Sequence, residues 1–399
     1  MSPSSRFNGT WVWERIRAFG ISRWIIVAFV ATVWLLAAME DSLNLGTLVG
    51  DSLVRTAMHG LLVLALVLPV RAGNGLNFGI PLGIVCGLVG GVCVIELAAP
   101  HPFGIQSWGP HVELARGWTG FILANLVAIP LAGAAGLAFG WLLERVRGQE
   151  MVVGIYVGFG AVAGFCVVWL LAPVTSPELV WPLKGSEIRS TIVLNDYFRW
   201  ILDSSGEITF GEWAPEDLGP NGEPNQFSRP PGLYIPTGLL LYWMAFCGAM
   251  VLFLRTRLGT ALTAAGTNPT YARSCGINVP GMRVFSIMIS TVLSAMGILV
   301  YSQSYGFLQL YSAPLWMAFM IVAALLIGGA SLRRASVVHV IIGSFLFFSL
   351  LTMALPVINA LVRGSKYEES LGNLPEIARL VIQNGVILLA LTQVKRADR

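Results

Sequence analysis

Stretches of about twenty consecutive apolar residues recur along the chain, and that recurrence leaves few folds open. A run of this length is what a helix needs to cross the hydrocarbon core of a bilayer. Ten such runs are readable, over 22–39, 52–70, 76–98, 118–143, 151–173, 236–254, 284–304, 312–331, 336–357 and 375–394. Composition agrees: 55% of the residues are hydrophobic, only 12% are charged, and the mean hydropathy is +0.73. A soluble domain carries about 25% charged residues, so this chain cannot clothe a water-facing surface. That excludes an ordinary globular enzyme, a disordered chain and a nucleic-acid binder. A β-barrel would show short alternating segments instead of long runs. The fold class is therefore an all-α polytopic membrane protein with about ten transmembrane helices. Two runs are interrupted. The third opens on Gly73, Asn74, Gly75 and Asn77, and the eighth starts near Pro314 and ends in Gly328 and Gly329. Both read as broken or re-entrant helices.

Charge sets the orientation. With both termini in the cytoplasm, the inner side holds 16 basic and four acidic residues, a balance of +12, and the remainder balances at −8. The positive-inside rule favours that arrangement and an even number of spans. It also divides the chain. Residues 1–23 form a cytoplasmic N-terminus whose stretch 10–23 mixes aromatics with arginines, as an interfacial elbow helix does. Residues 24–173 carry helices one to five. Residues 174–235, with nine acids, four basic residues and seven prolines, form an extracytoplasmic insertion. Within it, 186–202 has near-helical apolar spacing and predicts a short amphipathic helix, while 214–232 reads as loop. Residues 236–394 carry helices six to ten, and 395–399 a cytoplasmic tail. The first run lacks a small-residue cleavage site before Glu40 and Asp41, so it reads as a retained helix, not a signal peptide.

Catalytic signatures are missing. There is no GxxxxGK(S/T) phosphate loop, no HExxH and no nucleophile elbow. The five cysteines are dispersed and the four histidines isolated, which disfavours a zinc site or a disulfide scaffold. Any energy source for active transport is then expected in another chain.

The most informative stretch is 255–283, RTRLGTALTAAGTNPTYARSCGINVPGMR. Leu258, Ala261, Leu262 and Ala265 line one face of a first helical piece. Gly266 permits a sharp turn. Thr267 or Asn268 caps a second piece that starts at Pro269 and ends at Gly276. Ala265 and Ala272 are small enough to touch. Such an ordered loop presents a rigid knob to a cytoplasmic partner.

This stretch resembles the cytoplasmic coupling loop of permease subunits of ABC importers for branched-chain amino acids, simple sugars and nucleosides, through the pattern GxNPxxAxxxGINV. The likeness continues at 327–334 in a glycine-rich turn. At 147–159, RGQEMVVGIYVGF is similar to a stretch of the nucleoside-type branch. GNGLNFGIPLGI at 73–84 is similar to the broken third span of the sugar branch, with Asn77 where that branch has an acid. The resemblance is weak over 1–50 and 174–235.

It implies a non-catalytic permease half in a bacterial or archaeal cytoplasmic membrane. Its implied partners are a second permease subunit, identical or not, two ATP-binding domains, and a periplasmic or lipid-anchored solute-binding protein. ATP and Mg would be bound by the ATPase partners and no cofactor by this chain. Leu258, Ala261, Ala265, Gly266, Thr267, Asn268, Pro269, Ala272 and Gly276 would couple to the ATPase. Asn74, Asn77 and Phe78 on the broken span are candidates for the solute pathway, or else a helix cap or interhelical contact. Ser302, Gln303, Tyr305 and Phe307 form a polar and aromatic vestibule, or else interfacial anchors. The solute is expected to be small, neutral and polar, a simple sugar or a nucleoside. The alternatives are a secondary transporter, a branched-chain amino acid permease, and a membrane-embedded enzyme or scaffold.

Overall fold

Each of the ten apolar runs coincides with a helix. The structure, a computed structural model, describes residues 21–40, 43–97, 116–172, 174, 176, 179, 190–195, 197–206, 208–210, 232–362 and 374–397. The elbow at 10–23 lies outside them except for its last three residues, which open α1 (Ile21–Met39). α2 (Leu45–Ala65) runs on through α3 (Val67–Arg71), followed by α4 (Ile80–Leu97), α5 (Gly117–Arg145) and α6 (Glu150–Leu171). After the insertion come α8 (Thr237–Arg255), α9 (Arg257–Thr267), α10 (Pro269–Ser274), α11 (Val279–Tyr305), α12 (Ser312–Ile327), α13 (Val337–Val362) and α14 (Leu374–Ala397). Seven helices among the described residues are long and apolar enough to cross a membrane; α1 and α12 are apolar but contribute shorter stretches. The chain is a polytopic helical membrane protein.

The centre of the bundle is α2 and α11. The apolar window of the α2–α3 span is 89% buried, against 17% for α6 and 22% for α8, which leave most of their apolar surface outward. α11 packs against α2, α4 and α5, and α13 closes the other side of α2. With lipid on the outside there is little hydrophobic drive between helices, so close backbone approach takes its place. Gly83 and Gly87 of α4 do this against α11: a Cβ on Gly83 would sit 2.5 Å from the Thr291 carbonyl oxygen. Two of the hydroxyls buried along α11 bond within their own helix. Thr291 donates to the Ile287 carbonyl at 2.9 Å and Ser294 to that of Ser290 at 2.7 Å. Gly154 and Gly158 of α6 lie against the 78–81 segment, whereas Gly160 and Gly164, which share their spacing, face open space.

The third span is broken as expected. α3 ends at Arg71, Gly73 and Gly75 take φ of 81° and 71°, and helix resumes only at Ile80. The backbone N–H groups of Ala72, Gly73 and Asn74 still bond back to α3, and the residues after them enter the bundle beside α11 before α4 starts.

The bundle has two dissimilar ends. α9 and α10 lie at the loop face, where α11 begins. At the other end, the cap face, residues from 174–235 meet the end of α11. The expected helix at 186–202 is not what forms there. Thr191–Val193 make strand β1, residues 197–200 turn, and only Ile201–Ser204 are helical, as α7. β1 pairs antiparallel with β4 (Phe307–Gln309), and a second ladder joins β2 (Ile208–Phe210) to β3 (Leu233–Ile235). The β-branched run Thr191, Ile192, Val193 finds an exposed partner strand after α11, and that overrides the apolar spacing. The fold is thus helical in the bundle and carries two small β ladders in its cap. Most of 214–232 lies outside the described residues.

Candidate functional site

At the cap face a cavity of about 380 Å³ opens among Asp51, Val54, Arg55, Met58, Arg199, Trp200, Ser304, Tyr305 and Phe307. Three elements build it. α2 sends Asp51, Arg55 and Met58 from one side, because residues four apart share a helix face. The end of α11 and β4 supply Ser304, Tyr305 and Phe307. The insertion supplies Arg199 and Trp200. Trp200 has φ of 56°, in the left-handed region unusual for a residue other than glycine. Its position is held from three sides: its backbone N–H donates to the Gln303 carbonyl at 2.9 Å, its indole N–H donates to the Ser304 carbonyl at 3.2 Å, and the Arg199 guanidinium lies 3.8 Å over its ring.

Of the predicted vestibule residues, Tyr305 and Phe307 line the cavity. Ser302 and Gln303 lie fully buried behind it. Gln303 ties the cap to α11. Its carbonyl oxygen Oε1 accepts from the Leu202 N–H at 3.2 Å, and its Nε2 donates to Ser304 Oγ at 2.6 Å and to Asp203 Oδ1 at 3.3 Å. Ser304 Oγ donates to the same carboxylate oxygen at 2.7 Å.

Asn74, Asn77 and Phe78 are elsewhere. Asn74 Nδ2 donates to the Arg283 carbonyl at 3.0 Å and to Ser286 Oγ at 3.1 Å. Asn77 donates to Ser290 Oγ at 3.1 Å and accepts from the Gly79 N–H at 2.9 Å. Both amides fasten the unwound segment to α11, and Asn77 also takes up the Gly79 N–H of that segment. From Ser290 to Tyr305 is about 22 Å along α11, so these residues and the vestibule form no common site. Phe78 packs against Phe319, ring centroids 5.9 Å apart, in an apolar crevice that also includes Pro81, Phe159 and Pro314.

At the loop face the expected helix pair is present, with two differences. The bend is at Asn268, not Gly266. Asn268 ends α9 and caps α10 by accepting from the Tyr271 N–H at 3.0 Å, with Pro269 at the first helical position. Gly276, at φ 78°, follows α10. Gly266 is helical, and it is small because the backbone of Arg71, Ala72 and Gly73 lies against it. The second difference concerns the faces. Leu258 is exposed, whereas Leu262 and Ala265 are buried. Ala272 packs inward with Ala265 and Val279, so it does not belong to the outward face of the pair. What α10 presents outward is Thr270, Tyr271, Arg273 and Ser274, continued by Thr267 and Asn268 before it and Gly276 after it; Ala261 and Pro269 are half-buried.

Asp51, Arg55, Arg199 and Trp200 were not singled out from the sequence. The signal was there for the first two: Asp51, Arg55 and His59 repeat every four residues along a helix with no other ionisable side chain. Nothing local in the insertion announced Arg199 and Trp200, which reach the cavity through the pairing of β1 with β4 and the bonds of Trp200 to the end of α11. Among the described residues no group of three or more His, Cys, Asp or Glu side chains is placed to hold a metal ion.

Comparison with known proteins covers the chain from α2 onward. A family described as branched-chain amino acid transport system / permease component matches residues 48–391. The nucleoside ABC transporter permease protein NupB of Lactococcus lactis subsp. cremoris (strain MG1363) is 25% identical over 246 residues, 57% of this chain and 66% of that protein. The autoinducer 2 import system permease protein LsrC of Yersinia pestis (strain Pestoides F) is 25% identical over 241 residues, 59% of this chain and 60% of that protein. The chain therefore spans less than two thirds of the length of these curated relatives. No solved structure matches. With a match that covers α2 through most of α14, the chain belongs to the family of branched-chain amino acid transport system permease components.

Proposed function

We propose that this chain is the membrane-spanning half of an ATP-driven ABC importer for a small, neutral, polar solute, a simple sugar or a nucleoside. It crosses a bacterial or archaeal cytoplasmic membrane ten times, with the loop face and both termini inside. The chain hydrolyses nothing itself. Two ATP-binding domains, which hold ATP and Mg, dock on the loop face. A second permease subunit completes the path, and a periplasmic or lipid-anchored binding protein delivers solute at the cap face.

The observation that carries this reading is the seating of α9 and α10. The outward side of α10 is exposed polar and aromatic surface, while its inward side and α9 are packed on the 71–73 turn and the start of α11. A push on α10 is thereby delivered to the two helices that end at the cap-face cavity. The relatives' names, one for nucleoside transport and one for autoinducer 2 import, support a polar solute with several hydrogen-bonding groups. The mixed charge of the cavity, one carboxylate and two guanidiniums, suits a neutral solute with both donors and acceptors.

The test is to purify the chain in mild detergent with its partners, identify them by mass spectrometry, and measure solute-stimulated ATP hydrolysis. Recovery of an ATPase and stimulation by a sugar or nucleoside are expected. A complex without an ATPase, with uptake driven by an ion gradient, would make it a secondary transporter.

A further inference from the structure

The cavity at the cap face continues inward as a column of rings. Phe307 meets Tyr305 edge-on with centroids 5.7 Å apart, and Tyr305 stacks on Tyr301 at 5.2 Å and 17°. Tyr301 meets His59 at 5.1 Å, and His59 stacks on Phe348 at 4.0 Å and 16°. The first two rings line the cavity; the last three are buried. His59 is the fifteenth residue of the 27-residue span Leu45–Arg71, about 21 Å from its start at 1.5 Å per residue. The column therefore descends to the middle of the bundle.

An ionisable side chain at that depth is costly and calls for a partner. His59 has one: its Nδ1 lies 2.8 Å from the Arg55 carbonyl, which can only accept. Nδ1 therefore carries the hydrogen, and in the neutral ring Nε2 is left as an acceptor. A ring of hydrocarbon would pack between Tyr301 and Phe348 without this requirement. The Tyr301 hydroxyl adds a second group able to donate or accept. The column thus combines flat faces with a few polar edges, the arrangement that binds a planar ring and orients it.

We propose that His59, Tyr301 and Phe348 form an intramembrane subsite for an uncharged heteroaromatic ring, a nucleobase or its nucleoside, entered from the cavity past Tyr305. This rests on the importer reading and narrows its solute. The subsite is closed in this structure. A flat solute opens it at little cost, because each ring contact it breaks between Tyr305, Tyr301 and His59 is replaced by a contact with its own ring. An N–H on the ring edge meets the His59 acceptor. A monosaccharide has no flat aromatic face with which to replace the stacks.

The experiment uses the complete complex in proteoliposomes, with adenosine, uridine and ribose as labelled probes and 8-azidoadenosine as photolabel. ATP-dependent uptake of a nucleoside is expected, with photolabel on 55–59 or 301–305. His59→Phe keeps the stack and removes the acceptor; it should lower nucleoside uptake about tenfold, the size of one lost hydrogen bond. Tyr305→Leu, at the half-open end of the column where folding is least at risk, should lower it similarly. ATP-dependent uptake of ribose and of neither nucleoside overturns the subsite and leaves the importer standing. Photolabel confined to other segments, or unchanged nucleoside uptake in both variants, also overturns it. No ATP-dependent uptake of any probe removes the importer reading and the subsite together.

Discussion

Gly266 of α9 rests on the carbonyl of Arg71 so closely that a Cβ on the glycine would overlap that oxygen. The same glycine abuts Gly73, whose own missing side chain would sit 3.0 Å from the Gly266 α-carbon. Two glycines thus let α9 seat on the turn that leads into the unwound third span. One residue beyond that turn's glycine the chain is pinned to α11 by Asn74, and three residues later by Asn77. Between α9 and that turn the contact is backbone on backbone.

Gly266→Ala should therefore separate α9 from the 71–73 turn. Forcing a methyl group into a filled space costs about 1–3 kcal/mol. Thermal unfolding of the purified chain should shift downward, and solute-stimulated ATP hydrolysis by the complex should fall more than basal hydrolysis. Unchanged stability and stimulation would mean that the contact transmits nothing.

Tyr271 and Ala272 are neighbours on α10 with opposite roles. Tyr271 is 65% exposed and Ala272 is fully buried against Ala265 and Val279. Tyr271→Ala should leave the chain as stable as the wild type and weaken retention of the ATPase on an affinity column. Ala272→Trp should destabilise the chain itself, before any partner is added. A destabilised Tyr271→Ala chain, or a fully stable Ala272→Trp chain, would reverse the assignment of the two faces.

Asn77→Leu removes the bonds to Ser290 Oγ and to the Gly79 N–H at once. Losing buried hydrogen bonds and leaving a donor without its partner costs about 1–3 kcal/mol. The expected result is a lower unfolding temperature with an unchanged affinity for transported solute. A changed affinity with normal stability would put Asn77 on the pathway.

Cys275, just after α10, is the exposed cysteine among the five; Cys86 and Cys247 are buried and the other two half-buried. With the loop face inside, a membrane-impermeant maleimide should leave Cys275 unlabelled in intact cells and label it after permeabilisation. A cysteine introduced at Asn221 should label in both. Labelling of Cys275 before permeabilisation would contradict the orientation.

Long-range contacts account for most of what the sequence did not disclose. The apolar helices of the bundle and the break at Gly73 were legible because membrane insertion writes itself as runs of apolar residues, and because glycine and asparagine interrupt them locally. The caps of α10 were legible for the same reason: Asn268, Pro269 and Gly276 act within a few residues of where they stand. The vestibule was legible only on its α11 side, at Tyr305 and Phe307. Its other walls come from Arg55, some 250 residues earlier in the chain, and from Trp200, placed by a strand pairing that apolar spacing at 186–202 disguised as a helix. Ala272 was read as a docking residue because smallness marks close approach; whether to a partner or to the chain's own core is decided by how α9 and α10 fold together.

The central claim is that α10 links ATP hydrolysis in a partner to solute movement through this bundle. Its most direct test is uptake by the reconstituted complex, with ATP inside the proteoliposomes and the binding protein outside, comparing wild type with Tyr271→Ala. The account predicts ATP-dependent uptake by the wild type and its loss in the variant, with solute binding by the external protein unchanged. Equal ATP-dependent uptake by both would contradict it.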